Sequence, residues 1–169
     1  MQSFGESGSP QRALRRQAEI ALAATRQPIL VQQAFALVQP CQSRDDECEL
    51  QAIYDGVKAN VRYVSDTRDV DRYVRPDRLL EMCQQGACAG DCDDHAMLLA
   101  ALAYAIGFRT GLRAYVPSDQ NSELHVYAVA AFPKHEANRL VGLDTTVSTA
   151  DVGWEPHTNG CRYWTVMLP

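Results

Sequence analysis

One stretch of the chain concentrates groups that could do covalent chemistry: Gly90-Asp91-Cys92-Asp93-Asp94-His95-Ala96. An Ala/Leu-rich run follows it, so Cys92 falls in the first turn of a predicted helix. Unpaired amides and the positive end of the dipole stabilise an anion there. Of the six cysteines (41, 48, 83, 88, 92 and 161), Cys92 is therefore the one expected to have a depressed pKa and thiolate character. Asp91, Asp93 and Asp94 pull the other way, so a thiolate also wants a cationic partner, which an imidazolium supplies. His125 is the candidate. In Glu123-Leu124-His125-Val126-Tyr127, strand alternation puts His125, Tyr127 and Val129 on one face and Leu124, Val126 and Ala128 on the other. Asp144 ends the next predicted strand, in Val141-Gly142-Leu143-Asp144-Thr145-Thr146. If the two strands are antiparallel neighbours, its carboxylate reaches the outer imidazole nitrogen, fixes the tautomer and stabilises the cation. The expected chemistry is nucleophilic attack by Cys92, with His125 as base and Asp144 orienting it.

Other readings of the same residues compete with this one. Cys83, Cys88, Cys92 and His95 have the atom types of a zinc site but lack a close Cys-x-x-Cys pair, which favours Cys83 as a buried thiol and Cys88 as a loop thiol. His95, one turn from Cys92, is a rival base. A neighbour on the same helix is poorly placed to point its ring at the sulfur, so it ranks below His125. The three acids are more simply helix-cap residues facing the dipole than ligands. Trp154, His157 and Trp164 are candidates for a cleft wall, although aromatics near a C-terminal strand are more often core.

The elements that must position these groups are legible in the pattern. Residues 11–25 form a predicted helix with Leu14, Ala18, Ala21 and Leu22 at helical spacing, and a second segment spans 29–38 between Pro28 and Pro40. Asp45, Asp46 and Glu47 suit the first turn of a helix that runs to about residue 61. Residues 63–75 have no clear period. A short helix is expected over 77–83, a turn punctuated by Gly86 and Gly90, and then the helix 91–106, ending at Gly107. Strands are predicted over 108–116, 124–132, 139–143 and 161–168, the first three joined by turns at 117–122 and 133–138. Helices followed by an antiparallel meander make the expected fold class α+β, with one domain over 11–169 after a disordered start at 1–10.

Composition excludes several classes. The net charge is −5 and the basic residues are scattered, which argues against nucleic acid as a partner. No apolar run approaches the ~20 residues of a membrane span. The polar start of the chain has no signal-peptide pattern, so the expected localisation is cytoplasmic. In that compartment the cysteines would be free thiols, with Cys41 and Cys48 able to pair across an acidic loop under oxidising conditions.

The segment 90–107, GDCDDHAMLLAALAYAIG, resembles the nucleophile helix of the transglutaminase-like cysteine enzymes. His125-Val126-Tyr127 and Asp144-Thr145-Thr146 resemble that family's histidine and aspartate motifs, in the same order. The likeness covers about 49–154 and is greatest to small bacterial and phage-type members. It implies a papain-like α+β core and attack of the Cys92 thiolate on an amide carbonyl, giving a thioester acyl-enzyme. Water resolves it in a peptidase or amidase; an amine resolves it in a cross-linking enzyme. Hydrolysis is favoured, because the chain has no room for the accessory β domains of the eukaryotic cross-linking enzymes. A binding or structural protein that keeps the fold without turnover is the alternative from another class. The implied partner is a protein or peptide substrate. No cofactor is required, though acids near the nucleophile bind calcium in some relatives. The Cys92 amide is the natural oxyanion donor, with Tyr63, Gln84 or Gln85 for a second.

Overall fold

Proline and aspartate start the helices of this chain for different reasons. Pro10 opens α1 (Pro10–Ala24) and Pro28 opens α2 (Pro28–Val38), where a missing amide proton is no loss and φ is already helical. Asp45 caps α3 (Asp46–Asn60), its side chain accepting the Cys48 amide at 3.0 Å. After a two-residue strand β1 (Arg62–Tyr63), Pro76 opens α4 (Pro76–Gln84). A second short strand, β2 (Ala89–Gly90), leads into α5 (Cys92–Ala105), which ends at Gly107 with φ +102°. The structure is a computed structural model and describes residues 9–65, 73–116, 124–156 and 162–169. The expected disordered start therefore falls almost wholly outside the described residues, and the turn at 117–122, His157 and Cys161 lie outside them entirely.

Helix α5 is buried from Asp94 to Ala103, so it has no polar face and must be enclosed on every side. α1, α2, α3 and α4 all pack on it, and β3 (Thr110–Val116) and β4 (His125–Phe132) cover the remaining side. With β5 (Arg139–Leu143) and β6 (Arg162–Met167) these strands form an antiparallel sheet in the order β5-β4-β3-β6. The first three make the expected meander; β6 crosses back to the far edge and pairs with β3. Leu112, Ala114, Val126, Ala128 and Ala130 point into the core shared with α5. Tyr127 and Val129 occupy the opposite face and are also buried, at 2% and 0% exposure, so β4 is covered on both sides. It is a rigid support for whatever its first residue, His125, does.

Three features depart from the sequence expectation. β1 and β2 pair in parallel, with Arg62 opposite Ala89 and Tyr63 opposite Gly90; strands of two residues have no alternation to read. Cys83 and Cys88 are joined in a disulfide rather than being separate thiols, and Cys41 and Cys48 form a second. The first anchors the end of α4 to the chain just before β2; the second ties the residues after α2 to the first turn of α3. Among the described residues Cys92 is the free cysteine.

The segment after β5 folds back so closely that the Gly153 amide donates to the Gly142 carbonyl at 2.9 Å, and a Cβ on Gly142 would lie 2.3 Å from the Trp154 carbonyl oxygen. Gly142→Ala should therefore destabilise the fold by about 2 kcal/mol or more, read as a lower urea midpoint. A variant as stable as the parent would show that this close approach is not required.

Candidate functional site

The nucleophile candidate owes its place to a capping box. Asp91 precedes α5 in extended backbone and accepts the Asp94 amide at 3.0 Å, while Asp94 reaches back to the Asp91 amide at 3.4 Å. The other Asp94 oxygen accepts the Val74 amide at 2.7 Å, tying the chain before α4 to the start of α5. Gly90 is required here, since a Cβ would lie 2.7 Å from that of Asp94. Cys92 is thus the first residue inside the helix, and its own amide has no intrahelical acceptor.

The environment of the Cys92 sulfur overturns the expected depressed pKa. Burial pushes the thiol up to about 12, and Asp93, Asp91 and Asp144 add to the rise. Only a backbone hydrogen bond from Val126, the residue after His125, pulls it down. Sγ lies 4.0 Å from an Asp93 carboxylate oxygen. The helix start is favourable for an anion, but the dry surroundings and three carboxylates outweigh it. Burial and the carboxylates both favour the neutral thiol.

His125 sits at the first position of β4, opposite Tyr115 on β3. Its Nε2 is 2.6 Å from Asp144 Oδ2, so in the neutral ring the acceptor nitrogen is Nδ1. The ring stacks on Tyr127 (6.4 Å between centroids, 21° between planes) and meets Tyr115 edge-on at 5.5 Å. Tyr127 is fixed in turn by Glu155, which also takes Arg113 at 3.1 Å. Steric and electrostatic contacts together hold the imidazole to one orientation.

Asp144 follows β5 and is only 1% exposed. Burial raises its carboxyl pKa, but the hydrogen bond and charge of His125 and two hydrogen bonds from Thr146 more than offset this, and the net shift is downward. Thr146 donates its amide (2.9 Å) and its hydroxyl (2.8 Å) to Oδ1, an Asx-type turn. From α3, the Tyr54 hydroxyl lies 2.9 Å from the Asp144 carbonyl and 2.7 Å from that of Ala150, where Lys58 Nζ also donates. Tyr54 was legible only as a core residue. The signal it offered was a buried phenol in an aliphatic stripe, which needs a polar partner.

The structure thus brings together Cys92, Val126, His125 and Asp144. Tyr63 is 48% exposed and pairs with Gly90, two residues before Cys92, whereas Gln84 and Gln85 are exposed at the end of α4. Trp164 packs partly on the core. A cavity of about 320 Å³ is lined by Arg113, Tyr115, Tyr127, Glu155, Pro156 and Tyr163, and so shares two walls with the packing around His125. A slightly larger one, about 370 Å³, lies between the start of α3 and β5; neither cavity is lined by Cys92, His125 or Asp144, but the smaller borders the two tyrosines that pack on His125. Among the described residues no group of three or more His, Cys, Asp or Glu could hold a metal, and the acids at 91 and 94 are occupied with backbone amides. Asp91 and Asp94 thus serve as the cap of α5. No helix is long and apolar enough to cross a membrane, among the described residues.

The sequence profile of the transglutaminase-like superfamily matches residues 35–145, and the chain belongs to that superfamily. Among solved structures, calcium-bound LapG of Legionella pneumophila aligns with a TM-score of 0.57 at 15% identity, over 90% of this chain and 83% of LapG. A candidate cysteine protease from Cytophaga hutchinsonii aligns with a TM-score of 0.51 at 15% identity, over 82% of this chain but only 47% of its own length. These likenesses bear out the α+β, papain-like core. No match was found among curated proteins.

Two outcomes follow from the Asp144 environment. Tyr54→Phe takes the phenol donor from the Asp144 carbonyl and should cost about 1–3 kcal/mol in urea unfolding. A folded pKa below the ordinary 3.8 means that Asp144 contributes stability fully above that value, and loses it as pH falls through the folded pKa. Asp144→Asn should accordingly flatten the acid limb of a stability–pH profile; an unchanged limb would show that the carboxylate is not held as described.

Proposed function

We propose that this chain is a cysteine-dependent acyl-transfer enzyme that hydrolyses amide bonds in a protein or peptide. The observation that carries the reading is the 2.6 Å His125–Asp144 hydrogen bond, set directly beside the Val126 amide that contacts the Cys92 sulfur. Cys92 Sγ attacks the carbonyl carbon as its proton passes to His125 Nδ1. The tetrahedral oxyanion is met by the Cys92 amide at the start of α5. Collapse breaks the C–N bond, with the proton from His125 going to the departing amine, and leaves a thioester on Cys92. A water molecule, deprotonated by His125, then releases the acid and restores the thiol. Asp144 keeps the imidazole in the right tautomer and balances its transient charge. Because the thiol is held neutral at rest, we favour general-base attack over a standing thiolate–imidazolium pair.

Cross-linking differs only in the last step, where an amine replaces water. The cavity walled by Tyr115 and Tyr127, which pack on His125, has room for a peptide side chain, and we prefer hydrolysis. The similarity of fold to LapG and to a candidate protease supports the same side. The two disulfides favour an oxidising compartment over the cytoplasm suggested by the polar N-terminus.

The test is selective alkylation of Cys92 together with product analysis. At neutral pH, His125→Ala should slow iodoacetamide labelling of Cys92 about a hundredfold, the range for loss of a general base. Asp93→Asn should quicken labelling several-fold, because removing a like charge lowers the thiol pKa. Incubation with a proteome should yield new peptide termini, and no amine incorporation in the presence of a labelled amine. Equal labelling rates in wild type and His125→Ala would end the catalytic reading; amine incorporation without new termini would replace hydrolysis by cross-linking.

A further inference from the structure

His95 lies on α5 one turn beyond Cys92, yet its ring turns away from solvent, with 1% exposure. Its Nδ1 is 2.8 Å from Thr145 Oγ1, and Thr145 is the residue directly after Asp144. The ring meets Tyr63 of β1 edge-on at 6.2 Å. The Arg62 backbone carbonyl acts on the same ring from β1, although Nε2 closes no hydrogen bond of full geometry. Burial disfavours the charged imidazole and outweighs the Arg62 carbonyl and the Asp144 carboxylate, which both favour it. A neutral ring carries one proton, so its Nδ1 either accepts the Thr145 hydroxyl proton or donates its own to the hydroxyl oxygen. With its ring 1% exposed and Nδ1 engaged by Thr145, His95 is a poor rival to His125.

We propose that His95 is a positioning residue, and that its bond to Thr145 locks the loop bearing Asp144 to the helix bearing Cys92. This rests on the triad reading above. Cys92, His125 and Asp144 stand on three separate elements, α5, β4 and the turn after β5. Val126 couples the first two at the sulfur and the His125–Asp144 bond couples the last two. The His95–Thr145 bond closes the remaining side directly, from the first turn of α5 to the residue next to Asp144. A loop free to shift by a fraction of an ångström would lengthen the His125–Asp144 bond and release the imidazole. Burial lowers the His95 pKa and favours the neutral ring, which suits a tether made through one hydrogen bond to a hydroxyl.

The experiment is the pH profile of Cys92 alkylation in the full chain. Thr145→Val removes the hydroxyl at constant shape and should slow labelling about tenfold at neutral pH. It should also move the acid limb of the profile to lower pH, because a loosened carboxylate supports the imidazolium less. His95→Phe should do the same, the double variant should be no slower than either single one, and Thr145→Ser should restore the wild-type profile. If Thr145→Val does not fold, Thr145→Ala is compared with Thr145→Ser in its place. A wild-type profile in Thr145→Val, in a protein where Asp144→Asn is slowed, overturns the positioning role and leaves the triad standing. If neither Asp144→Asn nor His125→Ala is slowed, the triad fails and this role fails with it.

Discussion

A carboxylate that is 1% exposed is expensive to keep ionised unless every oxygen is met by a donor. Asp144 is met by His125 on one oxygen and by the Thr146 amide and hydroxyl on the other. Much of the surrounding architecture serves that requirement. β5 delivers the residue and β4 supplies the histidine opposite. Tyr54 from α3 holds the Asp144 carbonyl, and His95 from α5 holds the next side chain. Remove the burial and the carboxylate would be an ordinary surface acid, with little authority over the imidazole. The dryness of the site is what makes one hydrogen bond of 2.6 Å decisive.

The same dryness works against the nucleophile. A sulfur at a helix start is usually considered an anion in waiting, but here burial and three nearby carboxylates hold the proton on. The capping box explains why the acids are tolerated: Asp91 and Asp94 satisfy amides that would otherwise be unpaired at a buried helix end. Helix stability and thiol acidity therefore conflict at this position. The conflict is relieved if the proton leaves only during attack, when His125 can take it and Asp144 can balance the charge. A protected thiol of this kind is also less exposed to oxidation than a standing thiolate.

How much of this was legible in the sequence depended on the length of the signal. The long apolar run after Cys92 and the alternation around His125 gave α5 and β4 nearly to the residue, because burial of a whole face leaves a periodic trace. The pairing of His125 with Asp144 followed from two strands adjacent in sequence. The two-residue strands β1 and β2 left no period at all. The Cys83–Cys88 disulfide was missed because compartment, rather than spacing, governed the expectation. The direction of the Cys92 pKa was misjudged for a different reason: dipole and charge can be counted along the chain, but desolvation depends on what packs over the sulfur. His95 was singled out for its closeness to Cys92 in sequence, yet its partner Thr145 is visible only once the loop after β5 is brought against α5.

The central claim, that Cys92 carries the acyl group and His125 and Asp144 serve it, is tested most directly by mass spectrometry of the enzyme quenched in acid during turnover of a peptide mixture. The account predicts an acyl adduct on the peptide containing Cys92, labile to hydroxylamine as a thioester is, and no turnover by Cys92→Ala. Turnover that persists in Cys92→Ala, or an adduct on any other residue, would contradict it.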